Sequence, residues 1–325
     1  MEYSASNIKL WSRLGSCGAL GQAAMELPGM DDRIVFLTAD LCTYSGLDRF
    51  KSEYPDRLYN LGIAEQNMIG VAAGMAKEGL IPFATTYATF AAMRCADQVR
   101  VNIGYMKLGV KLIGLTAGLS VGILGATHVS IEDIAVMRSI PNVVILSPAD
   151  STETVKAVIA AASVDGPVYI RLTGTMPNPV VYNADYNFQI GKAITVKEGK
   201  DIAIFATGTM VYNAKQAAEI MGMQGISAKV VDMHTIKPID EEAIYAACDS
   251  KLLVSVEEHS TIGGVGSAIA EKLSRIKGHP PLEMIGLADA YPHAADYAYL
   301  IEKSGLMPAQ LARSITERYL EVCND

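Results

Sequence analysis

Asn60-Leu-Gly-Ile-Ala-Glu-Gln-Asn-Met-Ile-Gly-Val-Ala-Ala-Gly74 reads as the end of a buried strand, a turn at Gly62 and the opening of a helix. That helix carries a single acid, Glu65, among apolar and small residues. Gly70 and Gly74 lie four residues apart, so they share one helix face and admit another backbone closely. A lone carboxylate at such a helix head is either desolvated or bonded to a specific partner. A buried acid without a partner is costly, so Glu65 is the first candidate for function.

Outward from this stretch, short apolar runs alternate with helical patterns. Strands are expected at 34–38, 58–62, 81–86, 110–116, 143–146 and 168–172. Helices are expected at 7–30, from Glu65 onward, at 89–105, at 131–139 and from Ser151. A glycine-rich loop, 117–128, ends in His128. Continuous apolar strands alternating with helices indicate a parallel sheet covered on both faces. Residues 173–188 break the rhythm, with Pro177, Pro179 and several Asn and Asp residues, and read as a connection. The alternation restarts with strands at 202–206, 228–232, 251–257 and 283–286, and helices at 210–223, at 240–248 and from Gly266. The division expected is 1–180, a linker at 181–190, and a smaller α/β domain at 191–325.

A chain of 325 residues with half of them hydrophobic is comfortable for two cores. The formal net charge is -8 and the basic residues are scattered, which argues against nucleic acid or an anionic membrane as partner. No apolar run reaches the length of a membrane span, and the N-terminus lacks the features of a signal peptide. Five cysteines without paired spacing fit a reducing compartment, so a cytoplasmic location is expected. Five scattered histidines give no metal-ligand spacing.

In parallel α/β sheets, ligands sit beyond the carboxyl ends of the strands. The candidates there are Asp40, Glu65, Tyr87 with Phe90, and His128. Each has a plain structural alternative. Asp40 could cap the next segment, and Tyr87 and Phe90 could be ordinary core. His128 is more suggestive, because glycines permit a mobile or close-packed lid and a histidine offers proton transfer near neutral pH. The run from Val256 to Gly266 lacks the third glycine of a dinucleotide loop and reads as a tight strand-to-helix turn.

Gly-Ile-Ala-Glu65-Gln-Asn-Met, with Pro82-Phe-Ala-Thr-Thr-Tyr87-Ala-Thr-Phe90 downstream, resembles the pyrimidine-binding domain of transketolases. Gly125-Ala-Thr-His128 and Ser147-Pro-Ala-Asp150 extend the likeness. The stretch from Lys229 to Ile239, with Val256-Glu-Glu-His259, is similar to that family's C-terminal domain. Nearly the whole chain is covered. The resemblance implies a parallel-sheet pyrimidine-binding domain for thiamine diphosphate, followed by a smaller α/β transketolase C-terminal domain. It implies that Glu65 hydrogen-bonds N1′ of the cofactor's aminopyrimidine, which favours the imino tautomer that deprotonates thiazolium C2. The cofactor then carries the hard chemistry while the protein supplies orientation and proton inventory. An apolar helix head would favour the protonated acid by desolvation. Tyr87 and Phe90 match the aromatic pair against which the aminopyrimidine stacks. Asp40 matches an acid near the cofactor, and His128 a histidine facing the donor.

The family holds diphosphate and Mg²⁺ through a Gly-Asp-Gly motif followed by an Asn, and no Gly-Asp-Gly occurs in this sequence. By resemblance the chain is expected to be the C-terminal component of a split transketolase. A separate N-terminal subunit would hold the diphosphate and Mg²⁺, in an α2β2 assembly, with Gly70 and Gly74 at the contact. By the resemblance, three features depart from sugar-phosphate transketolases: an arginine position is Gly174, a histidine position before the glycine loop is Ala117, and the loop run Gly122-Ile-Leu-Gly-Ala lacks an aspartate that contacts a ketose hydroxyl. Losing the guanidinium removes a bidentate contact to phosphate. Arg13 and Arg94 remain. The substrate expected is therefore not the standard pentose-phosphate pair, but a modified or unphosphorylated ketose or a 2-oxo acid. The competing readings are the beta subunit of a 2-oxo acid dehydrogenase, an acyloin or deoxyxylulose-phosphate type synthase, and a non-catalytic regulatory subunit.

Overall fold

The computed structural model describes residues 1–324. Asp325, the last residue of the second expected domain, lies outside the described residues. The first helix, α1 (Ala5–Glu26), is capped by Ser4, whose hydroxyl accepts from the Asn7 N–H at 3.4 Å. It ends earlier than the expected 7–30, because Pro28 sits in a tighter turn, Leu27–Gly29. Gly15, at φ 68°, kinks α1. There Ser12 and Ser16 donate to the carbonyls of Asn178 and Thr173 at 2.6 and 2.9 Å. The expected connection is thus tied down on α1 rather than loose.

β1 (Ile34–Thr38) is buried throughout and leads to α2 (Asp48–Glu53) and β2 (Leu58–Asn60). β2 is shorter than expected, since Gly62 and its neighbours already turn toward α3 (Glu65–Lys77). β3 (Ile81–Tyr87) follows. The single helix expected at 89–105 is instead two wide turns, Phe90–Arg94 and Val99–Tyr105, flanking α4 (Ala96–Gln98). The Cys95 N–H reaches back five residues to the Phe90 carbonyl at 3.2 Å. An i→i+5 turn carries the same apolar pattern as an α-turn over so short a run, which is why periodicity did not separate them.

β4 (Lys111–Leu115), α5 (Asp133–Ser139), β5 (Val144–Leu146), α6 (Ser151–Ala162) and β6 (Val168–Arg171) complete the first half. The second half holds β7 (Ile194–Lys197), β8 (Ile202–Ala206), α7 (Met210–Met223), β9 (Ala228–Asp232), β10 (Thr235–Lys237), α8 (Glu241–Ala246), β11 (Leu252–Ser260), α9 (Val265–Leu273) and β12 (Leu282–Leu287). α10 (Tyr297–Lys303) and α11 (Pro308–Asn324) close the chain. β7, β10, α10 and α11 were not expected from the sequence. β7 and β10 are edge strands of three or four residues, too short for a pattern to declare itself.

The strands form two sheets, in the orders β10-β5-β6-β4-β3-β1-β2 and β12-β11-β8-β9-β7. Pairing is parallel except for the edge strands β10 on β5 and β7 on β9. The chain therefore consists of two α/β domains with mostly parallel sheets. β10, although it comes from the second half, completes the first sheet, and so the halves share a hydrogen-bonded seam.

A buried acid pair lies in that seam. Glu153 of α6 and Asp232 of β9 are both fully buried. Tyr182 donates to Asp232 at 2.6 Å and Tyr186 to Glu153 at 2.9 Å, with the two rings stacked at 3.9 Å. Burial holds the Asp232 carboxyl up at about 7, and burial with the neighbouring Asp232 pushes Glu153 well above the ordinary carboxyl range. In the unfolded chain such groups titrate near ~4. Between those values the folded state holds more protons, so stability falls as pH rises, by up to about 1.4 kcal/mol per pH unit for each extra proton. We expect the urea midpoint to fall from about pH 5 to about pH 7 and Glu153→Gln to flatten that fall. Parallel profiles for the two proteins would refute this assignment.

Candidate functional site

Glu65 is the first residue of α3 and is 4% exposed. Its neighbour is not the apolar setting expected from sequence. Arg94 Nη1 donates to Glu65 Oε1 at 2.6 Å, and the same guanidinium lies over the Phe90 ring with Cζ 3.9 Å from its centroid. The wide turn at Phe90–Arg94 puts these two residues one above the other. Of the two alternatives for a buried acid, a specific partner is the one realised. Arg94 is the residue whose part here sequence reasoning missed, and only its i+4 distance from Phe90 could have hinted at it.

Around Phe90 stand two further rings. Tyr87 and His128 meet Phe90 at centroid distances of 5.7 and 5.2 Å, and meet each other at 5.5 Å. All three contacts are edge-on, the arrangement aromatic quadrupoles prefer. Tyr87 ends β3 and Phe90 follows it, so both stand at the carboxyl edge of the sheet. His128 arrives on the glycine loop. One ring nitrogen, Nδ1, is 2.9 Å from the Thr127 hydroxyl, and Nε2 makes no hydrogen bond among the described residues. Glu65, Phe90, Tyr87 and His128 are thus brought together with Arg94 between the acid and the rings.

The loop is close-packed, not a free lid. Gly118 and Gly125 have φ of 67° and 71°. The Leu119 N–H donates to Glu258 Oε1 at 2.6 Å, and the Ala295 N–H to the Gly122 carbonyl at 3.1 Å. Glu258 also accepts from Thr209 and Tyr297, each at 2.8 Å. A fully buried carboxylate of β11 therefore fixes the start of the loop that ends in His128. The sequence showed Glu258 only as part of a motif, without this task.

Asp40 stands apart from the ring cluster. It sits at φ 60°, with its N–H donating to Asn60 Oδ1 and its Oδ1 accepting from Asn60 Nδ2, both at 3.0 Å. It lines a cavity of about 960 Å³ together with Ser16, Tyr44, Thr116, Ser120 and Gly174. Tyr44 joins this cavity to the cluster, its ring 5.3 Å from that of Tyr87. The cavity wall carries hydroxyls suited to a polyhydroxylated ligand, and Thr116 Oγ1 is buried without a hydrogen-bond partner among the described residues. Gly174, at φ 85°, has no room for a side chain: a Cβ there would meet Thr209 Cγ2 at 2.7 Å and Asn178 Oδ1 at 2.9 Å. Ala117 is fully buried. Of the departures noted from sequence, Gly174 is thus fixed by close contact.

The Phe90 ring thus carries the Arg94 guanidinium on its face, with Glu65 bonded to that cation and His128 edge-on to the ring. Gly70 and Gly74 on α3 are exposed, with open space where a Cβ would stand. No helix among the described residues is long and apolar enough to cross a membrane.

Residues 16–176 match the family model described as transketolase, pyrimidine binding domain, and residues 191–311 match transketolase, C-terminal domain. The chain is 41% identical over 298 residues to the 6-deoxy-6-sulfo-D-fructose transketolase subunit SqwH of Clostridium sp. (strain MSTE9), across 90% of this chain and 92% of that one. It is 38% identical over 294 residues to a subunit of the apulose-4-phosphate transketolase of Phocaeicola vulgatus, across 88% and 93%. A solved structure described as a split gene transketolase, inactive beta4 tetramer, superposes with a TM-score of 0.84 at 40% identity, across 93% of this chain and 97% of that one.

Proposed function

The chain belongs to the transketolase family, and on that footing we propose that it is the C-terminal component of a two-subunit enzyme that moves a two-carbon ketol unit from a ketose to an aldehyde. The observation that carries this reading is the convergence of Glu65, Phe90 and His128 on one spot beside a hydroxyl-lined cavity. Thiamine diphosphate, when bound, supplies the nucleophilic carbon. Phe90 offers its aminopyrimidine a ring face, with Tyr87 edge-on beside it, and Glu65 holds and moves the proton at the ring nitrogen. His128, with Nε2 free, exchanges a proton with substrate oxygen, a role usually worth about 10²–10⁴ in rate. Asp40, braced by Asn60 on the wall of the adjoining cavity, is assigned to cofactor binding.

The diphosphate and Mg²⁺ are assigned in this proposal to a partner subunit, in an α2β2 assembly in the cytoplasm. Relatives named as subunits, and a structural relative described as a split-gene transketolase in an inactive beta4 tetramer, support that division. The domain limits proposed are 1–180 and 191–325, joined by 181–190. The substrate proposed is a ketose other than the standard pentose phosphates, because Gly174 supplies no guanidinium to grip a phosphate and Ala117 no imidazole beside it.

The test is reconstitution with a chain that carries Gly-Asp-Gly. We expect the pair, given thiamine diphosphate and Mg²⁺, to transfer ketol units without releasing carbon dioxide, and the chain alone to be inactive. Turnover by the chain alone would defeat the split assignment. Carbon dioxide release would point to a synthase or a 2-oxo acid enzyme instead.

A further inference from the structure

Resting on that reading of the site, we propose that Arg94 fills the aminopyrimidine's place in the free subunit and must swing out before the cofactor can bind. The guanidinium makes the two contacts the ring would need. It stacks on Phe90, with Cζ 3.9 Å from the centroid, and it bonds to Glu65 Oε1 at 2.6 Å. A planar cation is well made to imitate a planar ring, since it can lie on an aromatic face and donate in its own plane at once. With the guanidinium 3.9 Å over the Phe90 ring and bonded to Glu65, a flat ring has no room to lie on that face and reach the same acid at once.

Exposure shows how the site can clear. Glu65 is 4% exposed and fixed at the head of α3, whereas the Arg94 side chain is 43% exposed. Arg94 is therefore the member with open solvent to swing into, while Glu65 is enclosed at the helix head. In the free chain the arrangement keeps the acid paired and the ring face covered. An otherwise buried carboxylate would be costly to leave unpaired. The device thereby couples cofactor binding to release of one surface cation, and a subunit without its partner stays closed to the cofactor's ring.

Thiamine, which lacks the diphosphate that the partner would hold, is the probe. We expect ligand-observed NMR titration of the isolated chain to show thiamine binding about tenfold tighter to Arg94→Met than to the wild type, a difference of about 1.4 kcal/mol. Arg94→Lys, which keeps the charge but loses the planar stack, should fall between them. Adding Glu65→Ala or Phe90→Ala to Arg94→Met, which removes the hydrogen-bonding group or the ring face, should erase the gain. Equal or weaker binding by Arg94→Met, no binding by either protein, or a gain that survives those second substitutions would overturn the proposal. The site reading itself fails on a different result, undiminished turnover of Glu65→Gln in the two-chain enzyme.

Discussion

Glu65→Gln is expected to lower turnover of the reconstituted two-chain enzyme by about 10²–10⁴-fold. Glutamine has the same length and can still hydrogen-bond a ring nitrogen, so binding geometry is largely kept. It cannot take up or release a proton at that nitrogen. The loss should therefore fall on kcat rather than on the cofactor's apparent affinity. Folding should change little, because the ion pair that Glu65 makes with Arg94 is open to water on the arginine side. The measurements are steady-state kinetics with the best ketose donor and a urea unfolding curve of the isolated chain. Full activity of Glu65→Gln would return the chain to the class of non-catalytic subunits.

Much of this was legible because the informative residues belong to strong local patterns. Strands such as 34–38 and 202–206 are unbroken apolar runs, which only a sheet covered on both faces requires. Glu65 stood out because an acid in small, apolar surroundings violates the usual partition of polar groups. What sequence did not show depends on contacts made across long separations. Arg94 meets Glu65 over twenty-nine positions, and nothing local distinguishes it from a surface arginine. Glu258 reaches Leu119 over 139 positions. β10 gains its strand character only by pairing with β5. The wide turns at Phe90–Arg94 and Val99–Tyr105 differ from an α-helix by one residue in the reach of each hydrogen bond, too small a difference for periodicity over such lengths.

The largest stability effect is expected at Asp133 and Arg171, which sequence left as an unremarkable helix start and strand end. Both side chains are 0% exposed. Arg171 Nε lies 2.9 Å from Asp133 Oδ2, Tyr169 donates to the same oxygen at 2.8 Å, and Arg171 Nη2 donates to the Glu258 carbonyl at 2.8 Å. A guanidinium stripped of its carboxylate in such a place is a buried charge without compensation. Asp133→Asn should therefore cost about 3–5 kcal/mol. Arg171→Met should be costly too, since it leaves the carboxylate buried with only the tyrosine. The double variant leaves no charge at all, so its loss should be smaller than the sum of the singles, with a coupling of about 0.5–3 kcal/mol. Urea midpoints of the four proteins at one pH give that cycle directly. Because Arg171 holds the backbone of Glu258, and Glu258 in turn holds Leu119, the singles should also loosen the loop that carries His128. Hydrogen exchange at residues 118–128 should rise in step with the lost stability. Strictly additive losses would mean that Asp133 and Arg171 do not act as a pair, and a loop whose exchange does not change would mean that the ion pair and the loop are independent.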